Sequence, residues 1–372
     1  MKIAILTYPI HSNFGFLMQA YALQLYLKRL GHDPYTIYIT PQKPTTINRL
    51  KLLIKDFLYT IKGVPGHRLF RYWPSAKQQA IMDQNTWEFI RDNINLTKKQ
   101  NSFADLYNFD VESYDAYIVG SDQVWRYEYL DQITSFYFDF LPDSKRRMSY
   151  AASFGISEFD YSEEDAMKCK ALLQKFNFVT VRETDGIRLC KENFGIGAVK
   201  VLDPVFLLSK TDYEVLANKG KKLSQKKYLF YYILDPTPQK LAYINKIASE
   251  NGYEIINIMP GLYHLLGPKY LSELIYPSVY DILSGFCNAD YVVTDSFHGT
   301  AFSIILNKRF TVFANLKRGN SRLTSILSTF GLEDRIFSST HNYNNPIDFD
   351  EVNKKIKENL YLSESIIKKF LQ

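Results

Sequence analysis

The stretch Tyr291-Val-Val-Thr-Asp-Ser-Phe-His-Gly-Thr-Ala-Phe-Ser-Ile-Ile-Leu306 constrains the fold more than any other. Tyr291–Thr294 is a short apolar and β-branched run, which reads as a buried strand. Asp295–Gly299 is a tight polar turn, and Thr300–Leu306 carries apolar residues at helical spacing. A strand that runs through a turn into a helix N-terminus belongs in a parallel sheet with helices against its faces. In such sheets ligands sit at the carboxyl ends of the strands, where free N–H groups and the helix dipole favour an anion. His298 stands in that turn as a candidate proton donor or phosphate contact.

The same rhythm opens the chain. Lys2–Thr7 reads as a strand, Tyr8–Gly15 as a loop, Leu17–Leu30 as a helix closed by Gly31, and Tyr35–Ile39 as a strand. Further strands are expected at Tyr114–Val119, Arg147–Ala152, Phe178–Val181, Val199–Leu202, Tyr228–Leu234, Glu254–Met259 and Arg309–Phe313. Helices are expected at Ser162–Phe176, Thr184–Phe194, Thr237–Glu250, Ser278–Cys287, Ser321–Phe330 and Val352–Leu371. Gly261–Tyr276 reads as loop. A length of 372 residues with 46% apolar content fits two domains. The expected fold class is α/β, two Rossmann-like domains facing each other across a cleft. The division is set at residues 1–195 and 196–372, with the second domain beginning at Val199. The C-terminal helix is expected to pack back on the first domain.

Ile47–Lys62 and Ala76–Ile94 read as amphipathic helices of an insertion. Their Lys, Arg and apolar content suits a membrane surface or a partner, and an insertion that covers the sheet is the plainer expectation. The formal net charge of +6 is modest and spread along the chain, which suits an anionic substrate and argues against nucleic acid. Cys169, Cys190 and Cys287 are widely spaced and odd in number, so no disulfide framework or metal spacing arises and a cytoplasmic location is expected. No apolar run reaches membrane-spanning length. Tyr (28) and Phe (26) are abundant, which fits core filling or the lining of a sugar site.

Several polar groups fall at strand ends. Gly120-Ser-Asp-Gln-Val-Trp125 follows the Tyr114–Val119 strand. Asp122 is a candidate base or sugar ligand, and Trp125 a candidate stacking platform or core residue. Arg182-Glu183 follows Phe178–Val181 as either an ion pair or an anion clamp, with Arg182 favoured as the clamp. Asp295 is either a base or the helix N-cap. The glycine-rich dinucleotide fingerprint, the Walker phosphate loop, the Gly-x-Ser-x-Gly elbow and zinc-ligand spacings are all absent. Ser296 and His298 alone make a poor nucleophile–base pair.

The ordered series Asn13-Phe-Gly15, Gln19-Ala-Tyr-Ala-Leu-Gln24, Val119-Gly-Ser-Asp-Gln-Val-Trp125, Tyr150-Ala-Ala-Ser-Phe-Gly155, Val181-Arg-Glu183, Val201-Leu-Asp-Pro204 and Asp295-Ser-Phe-His-Gly299 resembles the polysaccharide pyruvyl transferase family. The blocks run from about residue 1 to about residue 335; the insertion and the last helix lie outside them. The resemblance implies a fold similar to two-domain glycosyltransferases of the B type. It also implies transfer of an enolpyruvyl unit from phosphoenolpyruvate to two sugar hydroxyls, as a ketal on a surface glycan or lipid-linked precursor. No cofactor is implied, phosphoenolpyruvate being the co-substrate. His298 matches the motif histidine, for acid catalysis or phosphate contact, and Arg182 the arginine for the donor's anionic groups. Arg322 and Arg318 are further cations, and Asp295 or Asp122 the base. Ser296, Phe297 and Gly299 on the donor side, with Asn13, Gly15, Gln19, Ser121, Gln123, Trp125 and Ser153 on the acceptor side, complete the expected set. Two positions depart from the pattern. Some members carry arginine two residues before the motif histidine, where Ser296 stands. The N-terminal motif often has an acidic residue after its glycine, where Phe16 stands. The competing readings are a nucleotide-sugar glycosyltransferase and a non-catalytic glycan-binding relative. Contact with the inner face of a membrane would accompany a lipid-linked acceptor.

Overall fold

The computed structural model describes residues 1–40, 46–63, 68–69, 71–129, 132–314 and 321–372, with 47 and 48 by backbone alone. The first half runs β1 (Lys2–Leu6), α1 (Phe14–Arg29), β2 (Asp33–Thr36), α2 (Thr46–Ile61), α3 (Ala76–Met82), α4 (Gln84–Asn93), β3 (Ala116–Val119), β4 (Arg146–Ser149), α5 (Glu163–Leu173), β5 (Thr180–Val181), α6 (Thr184–Leu189) and β6 (Val199–Lys200). The second runs α7 (Lys210–Ala217), β7 (Tyr228–Tyr232), α8 (Pro238–Asn251), β8 (Glu254–Ile256), α9 (Tyr263–Leu266), α10 (Val279–Asn288), β9 (Tyr291–Thr294), α11 (Phe297–Ile305), β10 (Phe310–Val312), α12 (Ser321–Phe330) and α13 (Phe349–Leu371).

Every named strand pair is parallel. The first sheet has the order β2-β1-β3-β4, and the second β10-β9-β7-β8. Strands covered on both faces carry no polar alternation, and β3 and β9 are accordingly buried at all four positions. The fold class is thus the expected one. The short strand at Val199 pairs with β5, and bridges at Met148–Phe178 and Ala152–Val181 tie β5 to the end of β4. β5 and β6 form a two-stranded parallel sheet beside the end of β4.

Several element ends also differ. Ala76–Ile94 is two helices, broken at Asp83. The Thr184–Phe194 helix ends at Leu189 and widens into a π-turn over Cys190–Phe194. Lys210–Ala217 is a helix with a Ser209 capping box, and it has no counterpart in the sequence reading. Part of the stretch read as loop, Gly261–Tyr276, forms α9 and a 3-10 segment over Pro268–Leu274.

The two sheets share apolar packing. Phe14 at the start of α1 lies 5.1 Å from the Phe302 ring and 6.2 Å from Phe286. Leu17, Met18 and Ala22 enter the same cluster as Tyr213, Leu283 and Ala301. Helix α13 places Ile366, Ile367 and Phe370 against Ile3, Ile5, Ile118 and Met148 of the first sheet. Within the insertion, α4 buries Phe89 and Ile90, but α2 turns most of its apolar residues to solvent and covers no sheet with them. The three cysteines are free, Cys169 and Cys190 buried.

Candidate active site

Helix α11 begins at Phe297, three residues earlier than its apolar spacing suggests, so His298 belongs to the first helical turn. Ser296 is the N-cap; its hydroxyl accepts from the Gly299 N–H at 3.4 Å. Gly299 has no side chain because a Cβ would stand 2.2 Å from Thr294 Oγ1, which lets the helix sit close on its own strand. Asp295 is not the cap. Its Oδ1 accepts from Leu234 N at 2.7 Å, and its Oδ2 from Asp235 N at 3.1 Å and Lys240 Nζ at 2.6 Å. These bonds tie the end of β9 to the loop after β7 and make Asp295 a structural anchor beside the site.

The His298 imidazole is almost wholly buried. It meets Phe297 edge-on at 5.2 Å and rests against Gly15 of α1. Its Nε2 stands 3.8 Å from Asp203 Oδ2 and has no hydrogen-bond partner. Burial lowers the imidazole pKa, outweighing the pull of Asp203 and Asp122. His298 is therefore neutral near pH 7. Asp203, at the turn after β6, accepts from Arg182 Nη1 at 2.7 Å and from Ser121 Oγ at 2.8 Å on Oδ2. Its Oδ1 takes the Val205 N–H at 3.1 Å. Burial alone would raise this carboxyl, but the Arg182 guanidinium holds it below the usual range.

A cavity of about 170 Å³ opens in front of His298. The first half supplies Asn13, Gly15, Phe16, Asp122, Gln123 and Tyr129; the second supplies Tyr232, Leu234, Asp295–His298, Arg322 and Leu323. Asp122 has a left-handed backbone (φ 78°) and accepts from Gln123 N at 2.7 Å. Its Oδ1 stands 3.5 Å from Arg182 Nη2 and 3.9 Å from Arg322 Nη1. Burial, and then the nearby Arg182 guanidinium, bring Arg322 down to about 10, so it keeps its charge at neutral pH.

Other expected residues stand behind this wall. Arg182 is buried beneath Phe297, its guanidinium 4.1 Å from the ring centroid, and it clamps Asp203 without lining the cavity. Ser121 bonds Asp203, Ser153 bonds Glu183 Oε1 at 2.9 Å, and Gln19 bonds Thr7 and the Phe16 carbonyl. Asn13 caps α1 through Phe16 N. Trp125 does not reach the cavity: it is fully buried, stacks on Tyr137 at 5.1 Å, and donates to the Phe136 carbonyl. The aromatic side chain that does line the cavity from this loop is Tyr129, with Arg126 4.9 Å from its centroid. Arg318 lies outside the described residues. Among the described residues, no group of three or more His, Cys, Asp or Glu side chains is disposed to hold a metal ion.

Three participants were given no role from the sequence, Asp203, Lys240 and Tyr129, and Glu183 was marked only as half of a charge pair with Arg182. Asp203-Pro204 and Glu183 both follow strands, the position that marks Asp122, so strand-end carboxylates were the available signal. Glu183 lies fully buried, accepts from Ser153 Oγ and from the Phe154 and Gly155 N–H groups, and is pushed up by burial.

A sequence profile of the family described as "Polysaccharide pyruvyl transferase" matches residues 13–317. No curated protein matches the chain significantly. Among solved structures, UDP-GlcNAc 2-epimerase from Neisseria meningitidis bound to UDP-GlcNAc is 10% identical with a TM-score of 0.45, covering 100% of this chain and 93% of that one. MurG from Acinetobacter baumannii is 8% identical with a TM-score of 0.45, covering 99% of each chain. UDP-GlcNAc 2-epimerase from Methanocaldococcus jannaschii is 12% identical with a TM-score of 0.44, covering 96% and 92%. Likeness at this level carries nothing about chemistry.

Proposed function

The chain belongs to the polysaccharide pyruvyl transferase family, and on that premise we propose that it moves an enolpyruvyl unit from phosphoenolpyruvate onto two hydroxyls of a sugar, closing a pyruvate ketal. The observation that carries the reading is one cavity that holds a buried neutral imidazole, a charged guanidinium and a carboxylate: His298, Arg322 and Asp122.

The donor is an anion at both its carboxylate and its phosphate. Arg322 and the positive end of α11 are the groups that would receive it. Arg322 then supplies the cation that Ser296 does not. A bound dianion beside His298 favours the imidazolium, so the ring takes up a proton as the donor arrives. His298 gives that proton to the methylene carbon, which becomes the methyl group, and the adjacent carbon becomes an oxocarbenium-like centre. A sugar hydroxyl oxygen bonds to that carbon and loses its proton to Asp122. The carbon–oxygen bond to phosphate breaks, phosphate carries away the electron pair, and the second hydroxyl adds with loss of its own proton. One hydroxyl proton replaces the one lost to the methyl group, and the other leaves with phosphate. Asp203 and Arg182 act as positioning residues behind the imidazole.

The test is a thermal shift of the purified chain with phosphoenolpyruvate and with a panel of nucleotide sugars, on wild type and on Arg322→Ala. A ligand that binds only the folded state raises the melting temperature by mass action. Stabilisation by phosphoenolpyruvate that Arg322→Ala abolishes supports the donor. Stabilisation by a nucleotide sugar alone overturns the reading in favour of glycosyl transfer. Sugar binding without phosphate release, in the presence of phosphoenolpyruvate, makes the chain a non-catalytic binder.

A further inference from the structure

Helix α2 carries its apolar face outward. Leu50, Ile54, Phe57, Leu58 and Ile61 are between 51% and 67% exposed, and Leu53 is 37% exposed. At 100° per residue they occupy one continuous stripe of the helix. Lys51, Lys55 and Lys62 follow one another along a single margin of that stripe, and all three are exposed. The only acidic residue of the helix is Asp56, which is fully buried and spoken for: Arg71 donates to it through Nε at 2.6 Å and Nη2 at 3.0 Å. That ion pair faces the protein and fixes which side of the helix looks away. Arg71 belongs to a strap that is itself pinned where Tyr72 N donates to the His264 carbonyl at 3.3 Å. A surface helix of a soluble domain normally points its apolar stripe inward, and exposed apolar area of this extent marks an interaction surface.

We propose that the outward face of α2 seats the protein on an anionic lipid surface. The charge pattern selects this occupant. An apolar stripe lying in the headgroup layer with lysines along its margin is the arrangement of an interfacial helix, and lysines near the surface are drawn to anionic lipids. No helix among the described residues is long and apolar enough to cross a membrane, so the contact is peripheral. Phe57, Ile61, Ile54 and Leu50 enter the acyl boundary, while Lys51, Lys55 and Lys62 pair with lipid phosphates. The inference does not depend on the reading of the cavity, since none of these residues lines it.

The experiment is co-sedimentation of the full chain with vesicles of phosphatidylcholine alone and of phosphatidylcholine mixed with phosphatidylglycerol. Two variants accompany it, Phe57→Ser/Ile61→Ser and Lys51→Gln/Lys55→Gln/Lys62→Gln. All five side chains are exposed, so both variants keep the wild-type melting temperature. Wild type pellets with the mixed vesicles and not with neutral ones. Removing each apolar side chain weakens partitioning roughly tenfold. Removing each lysine weakens it roughly fivefold, and added salt does the same. Failure of wild type to bind the mixed vesicles overturns the proposal, as does binding that neither variant reduces. Sedimentation velocity without lipid supplies the remaining arm: a dimer that Phe57→Ser/Ile61→Ser dissolves shows that a second copy of the chain covers the stripe, and overturns the lipid assignment.

Discussion

Gly15 and His298 come from opposite halves of the chain and occupy each other's space: a Cβ on Gly15 would lie 2.1 Å from His298 Nδ1. The imidazole has one side closed by helix α1 and the other turned toward Asp203. Its position is set by the packing of two domains, not by its own helix alone. Gly15→Ala should therefore displace the ring. The expected outcome is a loss of turnover of at least tenfold with a destabilisation of about 1–3 kcal/mol, read from steady-state kinetics and thermal unfolding. Full activity in this variant would show that the ring position is not critical.

Replacing His298 itself separates chemistry from folding. We predict that His298→Asn lowers turnover by roughly 10²–10⁴ while leaving the fold intact. Calorimetry in buffers of different ionisation enthalpy should show proton uptake when phosphoenolpyruvate binds wild type near pH 7.5, and none in the variant. Binding without proton uptake in wild type would remove the histidine from the acid role.

The same residue shapes the dependence of stability on pH. Its folded-state pKa lies below the ordinary value of 6.5 because burial disfavours the charged form. Between those two values the unfolded chain binds more protons than the folded one. Stability contributed by keeping the ring neutral is thus fully present above about pH 6.5 and is lost as pH falls toward the native pKa. His11, His32 and His341 are depressed by burial in the same sense, so the contribution of His298 is a difference. The melting temperature of His298→Asn should decline less steeply than wild type below pH 6.5; parallel curves would contradict the assignment.

Asp203 and Arg182 form a buried pair, with side-chain exposures of 0% and 2%. Removing Asp203 takes away the nearer of two carboxylates and leaves the buried guanidinium facing only Asp122 at 3.5 Å. Asp203→Ala is expected to destabilise the protein by about 3–5 kcal/mol, and Asp203→Asn by less because an amide oxygen still accepts from Arg182. Denaturant unfolding distinguishes the two. A silent Asp203→Ala would mean that the pair contributes nothing beyond placement.

Trp125 and Tyr129 sit four residues apart and should fail in opposite ways. Trp125→Ala empties a stacked core position and should cost about 3–5 kcal/mol. Tyr129→Ala should leave the melting temperature within about 1 kcal/mol equivalent of wild type and raise KM for the acceptor. The reverse pattern would return the stacking role to Trp125.

The alternation of short apolar runs with amphipathic segments made both parallel sheets legible, because strands buried on two faces and helices buried on one leave unmistakable periods. The cavity wall from the second half was legible for the same reason: Asp295–His298 is the joint between such a strand and its helix. What periodicity does not convey is direction. Trp125 and Tyr129 lie in the same polar loop, and only the packing of Tyr137 and Phe136 decides which ring turns inward. Arg182 read as a ligand clamp because nothing in sequence placed Asp203, twenty-one residues later, 2.7 Å from it. The pairing of β6 with β5 was hidden similarly: a two-residue strand has too little pattern to declare its sheet. The outward face of α2 is the plainest case, since an amphipathic period states that one side is apolar and leaves open which way it looks.

The aromatic junction at Phe14 bears on how the enzyme can move. Its ring is packed among Phe302, Phe286 and Tyr232 of the opposite domain. Swinging the two sheets apart would bring those rings into water, at a cost near 25 cal/mol for each Å² uncovered. A wide hinge is therefore disfavoured, and ligands have to reach the cavity with this junction closed. Small-angle scattering profiles recorded with and without donor should superimpose.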